Sequence, residues 1–148
     1  MSGVRAQQKQ KTRQALIEAA FNQLKFKDDI IFAGRVNKEE LYKITASAYA
    51  LTYVPIFEGF GIPLVEAMSC GVPVITSNIT SMPEVVEDAG ILVDPFSIND
   101  ITEAMIKINS DENLKNQLSE KSLVQAKKFG WEKTGYLLWQ SILKTIRD

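Results

Sequence analysis

The sequence predicts an α/β fold built as a doubly wound parallel sheet. Three observations carry this. Short apolar runs of strand length recur at residues 30–33, 49–54, 72–76 and 90–93. Segments with helical periodicity separate them. The chain then closes on helical segments alone. Strands that alternate with helices imply right-handed βαβ crossovers and a parallel sheet. In such sheets ligands gather at the carboxyl ends of the strands.

The elements follow in order. Residues 1–14 are polar, with Arg5, Lys9, Lys11 and Arg13 and no acid before Glu18, and read as a solvated end. From about Thr12 the residues Leu16, Ile17, Ala20, Phe21 and Leu24 stripe one helical face. Asp28-Asp29 marks a turn, and Ile30–Ala33 reads as a strand buried on both faces, ended by Gly34-Arg35-Val36. Asn37 followed by Glu40 has the pattern of a capping box that opens a helix to about Ser47. Tyr49–Val54 is strand-like and stops at Pro55. Pro63 suits the first turn of a helix, whose apolar Leu64, Val65, Ala67 and Met68 pack inward and whose end is set by Gly71. Val72–Thr76 is a strand that tolerates Pro73 near its start. Ser77–Ser81 is a polar loop, and Ser81-Met82-Pro83-Glu84 reads as a capped start of a short helix ending near Glu87. Gly90–Val93 is a strand stopped by Asp94-Pro95. Three helices finish the chain: one striped by Ile101, Ala104, Met105 and Ile108, one from Asp111 to Phe129, and one striped by Leu138, Trp139, Ile142, Leu143 and Ile146. Cys70 is expected as a small core residue, and Trp131 and Trp139 as packing anchors.

Composition narrows the function. The 148 residues suffice for one domain that buries about 70% of its unfolded surface. Seventeen basic and eighteen acidic residues give a net charge of -1, which points to no nucleic-acid partner and no anionic lipid. A single cysteine excludes an intrachain disulfide and favours a reducing, cytoplasmic setting, in line with the absence of a spanning apolar run or signal-peptide core. No histidine is present, so histidine catalysis and histidine metal ligation are excluded within the chain. No carboxylates cluster as ligands either, so neither a metal nor a cofactor is expected.

The segment Phe57–Met68 carries the chemistry. Gly59 and Gly61 allow a loop to bring backbone N–H groups close to a ligand. That loop leads into a helix N-terminus, where unpaired N–H groups and the helix dipole favour an anion. Glu58 precedes this terminus and Glu66 lies about a turn inside it. Carboxylates beside an anion site make sense as acceptors from hydroxyls of the same ligand, as on a sugar or a ribose. A solvated loop for Glu58 and a solvated helix face for Glu66 are the plain alternatives. Phe60 could equally be a core aromatic, and Glu84 a helix cap.

The run Glu58-Gly-Phe-Gly-Ile-Pro-Leu-Val-Glu66-Ala-Met, then Gly71-Val72-Pro73-Val74-Ile75, then Pro83-Glu84-Val85, resembles the donor-binding half of family 4 glycosyltransferases, which are retaining enzymes of the GT-B fold. The resemblance covers residues 30–148. It implies a Rossmann-like domain lacking its first strands, a single partial nucleotide-sugar-binding domain. Within it, residues 1–29 would form an N-terminal helix, 30–95 the βα units with the donor site, and 96–148 the closing helices. It implies a catalytic Glu58 that holds donor-sugar hydroxyls, and backbone of Gly59, Phe60, Gly61 and Ile62 against sugar and diphosphate. Glu66 would accept from ribose hydroxyls, and Arg35 and Val36 would lie by the nucleobase. The donor would be a nucleotide diphosphate sugar, with no metal. The acceptor is left open, including a membrane-peripheral one reached through an N-terminal domain absent here. A binding subunit whose catalytic half is on another polypeptide, and a GT-B epimerase or phosphorylase, also fit the pattern. The family's Gly-rich turn with its Arg/Lys pair has no counterpart in this chain. In a 3-2-1-4-5-6 order the missing strands are central. A two-strand gap is therefore expected between Ile30–Ala33 and Tyr49–Val54, to be closed by re-pairing, self-association or a partner chain.

Overall fold

The computed structural model describes residues 25–147. The helix expected from about Thr12 to Leu24 lies outside the described residues, apart from the turn that follows it. The chain divides into two units, Met1–Val36 and Asn37–Asp148.

In the first unit a short 3-10 turn, Lys27–Asp29, is followed by extended backbone. The expected strand at Ile30–Ala33 is not one: these residues join no sheet ladder. An apolar run favours extended backbone, but a strand is defined by membership of a ladder, and Ile31 is 88% exposed.

The second unit holds one parallel sheet of three strands, β1 (Leu51–Tyr53), β2 (Val74–Ser77) and β3 (Gly90–Val93), side by side in that order. Leu51 pairs with Val74 and Val74 with Gly90, so all three strands end at the same edge. Helices α1 (Lys38–Ser47), α2 (Ile62–Ser69) and α3 (Met82–Val86) alternate with the strands. Helices α4 (Ile98–Ser110), α5 (Glu112–Ala126) and α6 (Trp131–Arg147) follow. The expected strands shorten at their ends, and Ser77, placed in a loop by sequence, completes β2 fully buried.

Local chemistry explains the boundaries. Asn37 and Glu40 form the expected reciprocal capping box at α1. Gly71, at φ 70°, closes α2: its N–H donates to Met68 O and the Val72 N–H to Ala67 O, the paired bonds of a Schellman end. The Ser97 and Asp111 side chains cap α4 and α5. Ser81 does not cap α3, contrary to expectation, and Glu84 completes no box there. The Ser81 hydroxyl is used elsewhere, as the site shows.

Both faces of the sheet are covered. Val74 points into a cluster of Leu64, Ala67, Met68, Met82, Val85 and Val86, and Ile75, one residue on, into a second of Val93, Ala104, Ile108 and Leu118. The alternation of a strand thus supplies two cores, and α5 serves both through Leu118 and Ala126. Three expectations about packing are corrected. Cys70 is exposed, because it sits at the turn that ends α2 rather than on its inner face. Trp131 and Trp139 are 84% and 56% exposed, since the apolar stripe of α6 projects outside both clusters. Met105 is half exposed at the margin of the α4 stripe.

Helix α5 also ties down the segment between α3 and β3. Gln125 Nε2 donates to Val85 O (2.9 Å), Lys128 Nζ to Glu87 (2.8 Å) and Lys121 Nζ to Asp88 (2.7 Å). Hydrogen bonds from these lysines hold the Glu87 and Asp88 carboxyls below their ordinary values. A carboxylate lowered in the folded state adds stability that is complete above its unfolded pKa and is lost as pH falls through the folded one. The urea midpoint is therefore expected to stay level from neutral pH down to the ordinary carboxylate range and to decline below it. The decline should be shallow, because both pairs are partly solvated. A midpoint that rises on acidification would contradict this assignment.

Candidate functional site

The site forms at the carboxyl edge of the sheet, where the loop after β1 meets the loop after β2. Glu58 is its centre. Its side chain folds back over its own loop: the Tyr53 hydroxyl donates to Oε2 at 2.6 Å, and the Gly59 and Phe60 N–H groups donate to Oε1 at 3.1 and 3.5 Å. The Tyr53 hydroxyl, then the N–H groups of Phe60, Gly59 and Gly61, hold the Glu58 carboxyl below its ordinary value. The same bond to Glu58 raises the Tyr53 phenol. The result is an ionised carboxylate, an acceptor only, with one lone-pair site on Oε2 left for a hydroxyl donor.

Ser81 joins the two loops. Its Oγ donates to the Glu58 carbonyl at 3.0 Å, across 23 residues of sequence. The residue before it, Thr80, has φ 57°, an unusual backbone for a β-branched residue, where the chain turns from β2 into α3. Just upstream, the Thr76 and Ser77 hydroxyls are buried without a hydrogen-bond partner.

Gly61 starts α2 at φ 89°, and its carbonyl accepts from the Leu64 N–H at 3.0 Å. Pro63 has no N–H, so of the first three helical residues only Ile62 keeps one for an anion. Phe60 is neither fully inward nor free: its ring meets that of Phe129 edge-on at 5.5 Å. Glu66 is half-buried in α2, with the Lys38 ammonium at the start of α1 as a charged neighbour. Arg35, exposed, and Val36, half-buried, belong to the first unit. Among the described residues no group of three or more His, Cys, Asp or Glu side chains is placed to hold a metal ion. Sequence reading missed Tyr53 and Ser81. Tyr53 read as a strand aromatic and Ser81 as a cap, and neither pattern signals a bond to a loop carboxylate.

The model of the family described as glycosyl transferases group 1 matches residues 2–124. The chain belongs to that family. O-antigen chain mannosyltransferase B of Escherichia coli is 43% identical over 103 residues, covering 70% of this chain and 27% of that protein. A serotype-specific mannosyltransferase, WbdA, also of Escherichia coli, is 31% identical over 122 residues, or 82% of this chain and 15% of that one. The chain thus spans well under a third of these relatives. Among solved structures, sucrose-phosphate synthase from Thermosynechococcus elongatus superposes with a TM-score of 0.80 at 24% identity, covering 92% of this chain and 35% of that one. This likeness shows the fold, the α/β arrangement of GT-B glycosyltransferases. Among the described residues no helix is long and apolar enough to cross a membrane.

Proposed function

We propose that this chain is the donor-binding part of a retaining, cytoplasmic glycosyltransferase that moves a sugar from a nucleotide diphosphate sugar to an acceptor. The observation that carries the reading is the Glu58 carboxylate. It is kept ionised at the carboxyl edge of a parallel sheet, in the loop that opens α2. Glu58 accepts from a sugar hydroxyl, the backbone of Gly59, Phe60, Gly61 and Ile62 lines the sugar and diphosphate, and Glu66 takes the ribose. Catalysis is positioning together with stabilisation of the departing diphosphate, the sugar passing through a cation-like state. No metal or cofactor is needed in this scheme. The named activities of the two Escherichia coli relatives favour a mannosyl donor. The acceptor is handled by a part of the enzyme outside this chain, so the chain alone is inactive. Among the described residues β1 pairs on one side only, and its other edge is where a second copy, a partner chain or the rest of the enzyme adds a strand.

Calorimetric titration tests this. A nucleoside diphosphate mannose is expected to bind about 10–100-fold more tightly than the matching free nucleoside diphosphate, as one hydrogen bond to a charged acceptor would give. Glu58→Gln should erase most of that preference and leave the free nucleotide's affinity in place. Equal binding of conjugate and free nucleotide by the unaltered chain would overturn the reading.

A further inference from the structure

Glu58 sits on a loop that has little of its own to hold it. Between β1 and Glu58 lie Val54, Pro55, Ile56 and Phe57, and Ile56 and Phe57 are 59% and 83% exposed. Glutamate itself brings several rotatable bonds, so an untethered carboxylate at this position would sample many places. Two side chains oppose that freedom. Ser81 fixes the backbone through the Glu58 carbonyl, and Tyr53 fixes the carboxylate through Oε2.

Tyr53 is suited to this task because its two ends are in different surroundings. It is the last residue of β1, so its backbone is pinned by pairing with Thr76 of β2. It packs against the cluster of Leu64, Met68 and Met82, so it is held by the same core that seats α2. Only the phenol tip reaches the loop, and there it makes a short hydrogen bond to a charged acceptor. The N–H groups of Gly59 and Phe60 occupy the other oxygen. A carboxylate has about four lone-pair sites. Three of these sites are taken by Tyr53, Gly59 and Phe60, so one remains for a sugar hydroxyl, on Oε2, the oxygen that the phenol holds.

We propose that Tyr53 is a positioning residue for the donor sugar: it aims the Glu58 carboxylate at a sugar hydroxyl without touching the reacting atoms. The inference rests on the donor-binding reading above. Tyr53→Phe keeps the ring in the core and removes only the hydroxyl. In a titration of the whole chain, this variant is expected to bind nucleoside diphosphate mannose about 3–10-fold more weakly, less than the loss of a bond made directly to the sugar, because the phenol acts only through the aim of Glu58. Its affinity for the matching free nucleoside diphosphate should be unchanged, which also serves as the control for folding. In the Glu58→Gln background the same change should cost nothing more, since the two groups act as a unit.

The outcomes separate cleanly. If the unaltered chain does not prefer the conjugate, the functional reading falls and this inference with it. If the preference exists and Glu58→Gln removes it, yet Tyr53→Phe retains it in full, the role given to Tyr53 alone is overturned. Equal weakening of conjugate and free nucleotide by Tyr53→Phe would show a structural role and would likewise overturn it.

Discussion

Replacing Gly61 with alanine is expected to destabilise the chain by about 2–5 kcal/mol and to disable donor binding. Two costs add. The left-handed backbone, φ 89°, costs a residue with a Cβ about 1–2 kcal/mol. The new methyl would also sit 2.9 Å from Met82 Cε and 3.3 Å from Leu64 Cδ1, and both of those side chains are fully buried. Met82 is flexible but has nowhere empty to go, so overpacking adds about 1–3 kcal/mol. A domain of this size has about 5–15 kcal/mol in all. The chain should therefore still fold at low temperature, with a visibly lower urea midpoint. Binding suffers more, because relief of the clash must shift the start of α2 against α3, and Glu58 is fastened to Ser81 before α3 and to Tyr53 at the end of β1. Gly59→Ala is the control. Gly59 has no positive φ, and a methyl there meets nothing within 4 Å, so its stability should stay near that of the unaltered chain. Equal midpoints for the two variants would refute the argument.

That contrast marks what could be read from sequence. Gly59 and Gly61 look alike as letters, since a pattern records that glycine is tolerated and not which torsion requires it. Features whose partners are near in sequence were legible: the Asn37–Glu40 box, the Gly71 turn and the bounds of β3. The first two depend on bonds that span a few residues, and β3 is stopped by the Asp94-Pro95 that follows it. The Ile30–Ala33 run misled because apolar character states a preference for burial, while a strand also needs a neighbour. The same limit explains Trp131 and Trp139: a stripe identifies the face a helix would bury, and whether a surface is there to bury it is a tertiary fact. In the site, Glu58 stood out through its flanking glycines and its family pattern. Its partners did not, because the Ser81 bond crosses 23 residues and the Tyr53 bond depends on where a loop of four residues returns.

Leu64→Ala should be among the most damaging single changes, for a reason that joins fold to function. Leu64 is the third residue of α2 and is wholly buried. It belongs to the cluster that includes Met68, Val74, Met82 and Val86, against which Tyr53 also packs. Truncation to alanine removes three carbons and leaves a cavity, for which about 2–5 kcal/mol is the usual cost. The site's stiff parts, Gly61, Met82 and Tyr53, all lean on or near that side chain. They would be expected to relax into the space, and the aim of the Glu58 carboxylate would loosen with them. The expected result is a large fall in urea midpoint, together with loss of the preference for nucleoside diphosphate mannose even at temperatures where the chain remains folded. Amide exchange measured along the chain would show the mechanism, with faster exchange in α2 and β1 before global unfolding. If Leu64→Ala lowered the midpoint yet bound the conjugate with undiminished preference, the site would not depend on the core beneath it.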